Sequence, residues 1–168
     1  MKKLSYRSSS AFELFVNYLM RDGKKERALN LFFKILFILK QRLKFLKKNK
    51  SPYNSLLLAI ENVRPQFKLI SYFKKNKKII MPFVLSTYGS LSLGIRRLLL
   101  KAKLRYESNI VLKVVNEILD ASAFKGLSYE EKIKQNRLVV KYKRNLKRFK
   151  KRDEDKNNTN RNKDKKKK

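Results

Sequence analysis

Phe67-Lys68-Leu69-Ile70-Ser71-Tyr72-Phe73-Lys74-Lys75-Asn76-Lys77-Lys78-Ile79-Ile80-Met81-Pro82-Phe83-Val84-Leu85 is where the chain changes its period. Phe67, Leu69, Ser71 and Phe73 alternate with Lys68, Ile70 and Tyr72, and Ile79, Met81, Phe83 and Leu85 alternate again beyond the lysines. Strand side chains point to opposite faces in turn, so two such runs around a short polar segment predict a β-hairpin with a lysine-rich tip. A solvated turn kept in water by its charge is the plain reading of that tip. Four lysines within five residues on a two-stranded ribbon favour insertion into RNA instead, with Lys74, Lys75, Lys77 and Lys78 on phosphates. Tyr72 or Phe73 is available for stacking on bases, although Phe73 more readily docks the ribbon onto the helices.

On both sides of this segment the period lengthens to that of a helix. Upstream, Ser10-x-x-Glu13 is a capping-box pattern that opens a first helix through Ala11, Leu14, Phe15, Tyr18 and Leu19, closed by Gly23. Ala28, Leu31, Phe32, Ile35, Leu36, Leu39, Leu43 and Leu46 then form one stripe of a long second helix with lysines and arginines on its other faces. Ser51-Pro52 supplies the cap and first position of a third helix, which faces Leu56, Ala59, Ile60 and Val63 inward and stops at Pro65. Downstream, Ser92 is a cap for a fourth helix carrying Ile95, Leu98, Leu99 and Ala102 inward. Arg96, Arg97, Lys101, Lys103 and Arg105 give that helix a basic surface. Ser108 or Asn109 opens a fifth helix, Val111 to Leu119, which is poor in basic groups, central to the core and ended by Gly126. Ser128-x-x-Glu131 repeats the capping box before a sixth helix through Ile133, Arg137, Val140 and Arg144. The fold class expected is mainly α, a six-helix bundle-like domain over residues 1–149 with a hairpin at about 67–85 between helices three and four. Residues 150–168, rich in Lys, Asp and Asn, form a basic tail that is disordered when free.

Charge narrows the partner. Lys and Arg number 45 against 13 Asp and Glu, a formal net charge of +32 on 168 residues. The tail holds ten basic and four acidic residues, so residues 1–149 keep +26. Such an excess repels itself unless a polyanion neutralises it, and its spread along the chain fits nucleic acid better than a local membrane anchor. The absence of Cys and His removes thiol chemistry, disulfides, cysteine-based metal sites and imidazole acid/base work. No cofactor is expected, and catalysis has little to use: Asp22 and Glu26, and Glu117 and Asp120, read as helix-end charges, surface groups or RNA-contact partners. The apolar runs Leu29 to Leu39 and Ile110 to Leu119 are too short for a membrane span. Met1 to Ser10 lacks an apolar stretch for secretion, and a helix opening at Ser10 leaves little for a removable presequence. By charge alone a DNA-binding or nucleoid-packaging module remains open beside RNA binding.

Several separated motifs bear on that choice. Phe15-Val16-Asn17-Tyr18-Leu19-Met20-Arg21-Asp22-Gly23-Lys24-Lys25, Ala59-Ile60-Glu61-Asn62-Val63-Arg64-Pro65, Met81-Pro82, Glu117-Ile118-Leu119-Asp120-Ala121 and Asn136-Arg137 stand in one order along the chain. In that order and spacing they resemble the family of ribosomal protein seven of the small subunit, in its bacterial and organellar form. The resemblance covers roughly Ser8 to Arg144. It implies a mostly helical protein that binds the 3′ major domain of small-subunit rRNA and organises the head, near the mRNA exit path and the exit site for tRNA. It also implies neighbouring head proteins as partners. By the same resemblance Lys74, Lys75, Lys77 and Lys78 approach mRNA or tRNA, while Lys24, Lys25, Arg96 and Arg97 face rRNA; Arg21, Lys101, Arg105, Arg137 and Arg144 are further candidate RNA contacts by their charge. The sequence departs from the family in lacking a glycine pair in the hairpin, in Gly89-Ser90 where an arginine pair is common, and in Arg97 where Trp is usual. Richness in Lys, Asn and Ile suggests a mitochondrial ribosome, with plastid or an AT-rich bacterium as alternatives.

Overall fold

A computed structural model describes residues 2–46, 51–74 and 77–143, with side chains from residue 11 onward except those of Lys74 and Lys77. Its elements are α1 (Lys2–Leu19), α2 (Lys25–Phe45), α3 (Pro52–Val63), β1 (Phe67–Lys74), β2 (Lys77–Val84), α4 (Thr87–Lys103) and α5 (Ile110–Ser122). A sixth helix, α6, follows at 127–143. The expected architecture of six helices with a hairpin between the third and fourth is therefore observed among the described residues. The expected tail at 150–168 lies outside them. The described residues fall into two compact units, those within Met1–Gln66 and Leu85–Lys134, and those within Phe67–Val84 and Gln135–Lys168.

The first unit is built on α5, which packs against α2, α3 and α4. Val111, Val114, Val115, Ile118 and Ala121 are buried there, as its poverty in basic residues led us to expect. Around them close Phe32, Ile35 and Leu39 of α2, Leu56, Ala59, Ile60 and Val63 of α3, and Ile95, Leu98, Leu99 and Ala102 of α4. Each of the larger of these side chains contributes about 1.5–3 kcal/mol by leaving water. Phe32 also receives Phe12 and Phe15 of α1 edge-on, with ring centroids 5.1 and 5.5 Å away, and this holds α1 to α2.

Helix ends follow the sequence in places and depart from it in others. Ser51 caps α3 by accepting from the Asn54 amide at 3.1 Å, and Asn109 caps α5 by accepting from the Val111 amide at 2.9 Å. Helix α1, in contrast, runs back to Lys2 and does not open at Ser10. A capping box is a local alternative to helix continuation, and Lys, Leu and Arg in the preceding residues are good helix formers. Helix α5 ends at Ser122, before Gly126. Helix α4 is capped by Ser86, whose hydroxyl accepts from the Gly89 amide at 3.1 Å, and not by Ser92. Gly89 and Gly94 depress helix propensity in its first turns, so tertiary contacts decide its start. Ser90 donates its hydroxyl to the Pro65 carbonyl, and a Cβ placed on Gly94 would stand 3.0 Å from the Arg64 Cα. The glycine lets α4 lie directly on the end of α3.

In the second unit β1 and β2 pair antiparallel from Phe67 opposite Val84 to Lys74 opposite Lys77, with Pro82 opposite Leu69. The Gln135 amide donates to the Phe67 carbonyl at 2.6 Å and so ties this part of α6 to the ribbon. Phe73 is 77 % exposed, which leaves its ring open to solvent in this chain.

Gly94→Ala should lower stability. The gain of about 1 kcal/mol in helix propensity is outweighed by an overpacking cost of about 1–3 kcal/mol, because the obstructing atoms are Arg64 backbone. Urea unfolding of the two proteins is the check: the midpoint should fall for the variant with little change in slope.

Candidate nucleic-acid interface

The turn between α1 and α2 is sharp because Asp22 and Gly23 both take positive φ, 53° and 70°. The Lys24 amide then closes back on the Arg21 carbonyl at 3.0 Å. This geometry sets Arg21 and Lys24 on the lining of a cleft of about 690 Å³, to which α2 contributes Arg27 and α4 contributes Arg96 and Lys103. The walls between these cations are apolar and include Leu31, Leu99, Leu100, Ile110 and Val114. Asp22 is the one acidic residue lining it. Tyr18, also on the lining, shares a hydrogen bond with the Ser92 hydroxyl of α4, so Ser92 spans two helices where a helix cap was expected.

Arg21, Lys24 and Arg96, distant in sequence, are thus brought together. Reading along the chain did not select Arg27, and it named Lys103 in the basic surface of the fourth helix but not among the RNA contacts, although the signal was present: Arg27 stands three residues after Lys24 and Lys103 seven after Arg96, both same-face helical spacings. Among the described residues the ion pairs of the fold engage Arg64, Arg97, Lys101 and Arg105, and none of the five cleft cations. The cleft therefore presents positive charge that the carboxylates among the described residues do not consume.

Three cations that the sequence places on an RNA face are occupied within the fold. Glu131 of α6 lies 3.5 Å from Arg97 Nε and 2.7 Å from Lys101 Nζ, reaching across to α4 where a capping box with Ser128 was expected. Burial pulls the Arg97 guanidinium below its usual range, with Glu131 opposing the shift. Arg105 is engaged further: its Nη1 donates to Glu117 at 2.9 Å and to Asp120 at 2.8 Å, and its Nε donates to Glu107 at 3.0 Å. Desolvation works against the charge of Arg105, but hydrogen bonds to Asp120, Glu117 and Glu107 raise its pKa above the ordinary arginine value. Glu117 is fully buried, which corrects its reading as a surface or RNA-contact group, and it also accepts from the backbone amide and hydroxyl of Ser128. Removing one partner of such a pair costs about 3–5 kcal/mol, so Arg105 serves first to hold α5 in place.

The remaining expected contacts are dispersed. Lys25 is exposed on the first turn of α2, Arg137 on α6 and Lys78 on β2. Lys74 and Lys77 are paired backbone positions at the end of the ribbon, while Lys75 and Arg144 lie outside the described residues. Among the described residues no group of acidic residues is placed to hold a metal ion, and no helix is long and apolar enough to cross a membrane.

Comparison with known proteins bears on what this surface meets. Residues 2–141 match the family model described as ribosomal protein S7p/S5e. The chain is 29 % identical over 130 residues to small ribosomal subunit protein uS7 of Carsonella ruddii (strain PV), covering 74 % of this chain and 77 % of that protein. It is 29 % identical over 118 residues to the uS7 of Thermus thermophilus, covering 70 % and 72 %. The uS7 of Metamycoplasma arthritidis is 31 % identical over 115 residues, covering 68 % and 70 %.

Arg96 and Arg97 should separate on substitution. Arg96→Ala should weaken RNA binding several-fold at unchanged melting temperature, whereas Arg97→Ala should lower the melting temperature by releasing Glu131; circular dichroism melts beside filter binding distinguish them. Acid should act through Glu107, which the Asn116 amide, then its own backbone and Arg105, hold down at about 2. An ordinary glutamate titrates near about 4.3, so this stabilisation is complete above that pH and is lost as pH falls toward about 2. Glu107→Gln should flatten the fall in melting temperature across that window, and an unchanged acid profile would show that Glu107 plays no part.

Proposed function

Because the chain belongs to the ribosomal protein S7p/S5e family, we propose that it is a structural constituent of the small ribosomal subunit that holds the 3′ major domain of its rRNA and organises the head. The role of the family is structural and RNA-binding, not catalytic. The observation that carries the reading for this chain is the cleft at which Arg21, Lys24, Arg27, Arg96 and Lys103 converge without carboxylate partners among the described residues. An apolar core holds these cations at fixed spacing, so charge-assisted bonds to phosphates set the register of protein on folded RNA. The ribbon of β1 and β2 carries the second contact, toward mRNA and exit-site tRNA, with Lys78 on phosphates and the exposed Phe73 against a base. Other head proteins complete its surroundings, and we place the subunit in a mitochondrion on the Lys, Asn and Ile richness of the sequence.

The test is a salt titration of binding to isolated 3′-domain rRNA. With about 6 to 10 phosphates neutralised, affinity should fall by about three to five orders of magnitude between about 50 and 200 mM salt. A flat profile would sink the reading, as would equal affinity for duplex DNA of the same length.

A further inference from the structure

The cleft is more than a set of cations, and phosphate binding alone does not account for its walls. Leu100 is 54 % exposed and Ile110 39 % exposed, and both line the space between the basic side chains. Facing only phosphates, these side chains would stay in water or desolvate the anions they meet, and both outcomes weaken binding. A double helix offers them nothing better, since the bases of A-form RNA are stacked and its major groove is narrow. An unstacked nucleotide offers both surfaces that the cleft requires, a flat apolar face for the walls and flanking phosphates for the rim.

We propose that the cleft receives one unstacked nucleotide of the bound RNA, its base between Tyr18 and the Leu31, Leu100 and Ile110 walls, and its flanking phosphates on Arg21, Lys24 and Arg96. This rests on the RNA-binding reading and deepens it by naming the form of RNA that fits. At about 690 Å³ the cleft lies within the roughly 300–1,000 Å³ of sites that enclose one small molecule. Tyr18 is tethered to Ser92, so its ring is already positioned and little side-chain freedom is lost on stacking. Five cations against the single Asp22 favour a polyanion over a peptide as the occupant.

The experiment uses the full chain with isolated 3′-domain rRNA and two variants that leave every charge in place. Leu31→Phe fills the cleft, and Leu100→Asn removes apolar wall at an exposed position where folding is not at risk. Each should weaken binding by about 5- to 100-fold, the range expected for one stacked base, with no change in the dependence of affinity on salt. Arg96→Ala, by comparison, should reduce the salt slope by about 1. Ultraviolet crosslinking of the wild type should place a base on the peptide carrying Tyr18 or on residues 99–110, and Leu31→Phe should abolish that crosslink. Wild-type affinity in both variants, or crosslinks only elsewhere in the chain, overturns the nucleotide site while leaving RNA binding intact. Failure of the wild type to bind the rRNA overturns the underlying reading as well.

Discussion

Glu117 is a buried carboxylate at the centre of α5, and its partners come from both ends of the surrounding chain. Arg105, just beyond α4, donates to one oxygen, while the amide and hydroxyl of Ser128 at the start of α6 donate to the other. A charge at this depth is tolerable only when both oxygens are satisfied, so the paths into and out of α5 are constrained together. Asn62 adds a third restraint by donating its side-chain amide to the Ala121 carbonyl at 3.0 Å, which joins the end of α3 to the end of α5. The placement of α4 against α5, and with it the walls formed by Leu99, Leu100, Lys103, Ile110 and Val114, depends on this arrangement.

The chain has 13 acidic residues for 45 basic ones, so where the acidic groups fall decides which cations remain for a partner. Among the described residues, Glu61, Glu107, Glu117, Asp120 and Glu131 engage Arg64, Arg97, Lys101 and Arg105. These pairs sit at helix ends and between helices, where an uncompensated cation would oppose folding. Among the described residues, the cations around the turn of α1 and α2 and on the opposite face of α4 make no such pair. The ion pairs of the fold thus use one subset of the cations and leave another outside them, and neighbours such as Arg96 and Arg97 fall on different sides of that division.

The cleft combines two kinds of interaction with different ranges. Exposed cations attract a polyanion over a distance of about 8–10 Å before salt screens them, without regard to sequence. Apolar walls act only in contact and only on a surface that can be dried, so in the proposed nucleotide site they are what would discriminate among RNA conformations that present the same charge. A distributed basic surface would give attraction alone. Placing Tyr18, Leu100 and Ile110 between the cations adds a demand on shape.

Much of the fold was legible in the sequence because it depends on period. The change from 3.6 to 2 at Phe67, the Ser51-Pro52 start and a cap at Ser108 or Asn109 are local events whose physics is contained in a few consecutive residues, and the structure bears out the first two and selects Asn109 for the third. The start of α4 was not legible, because Gly89 and Gly94 weaken the local signal, and the reason for Gly94 lies in its approach to Arg64, thirty residues upstream. The lysines of the ribbon, the net charge and the apolar stripes were determined by the sequence alone, and with them the fold class and an anionic partner. Only the tertiary structure decided which cations are available, since a Coulomb interaction depends on distance in space. Arg105 and Arg96 look alike in the sequence, yet three carboxylates within 3.0 Å hold the first and an open cleft surrounds the second.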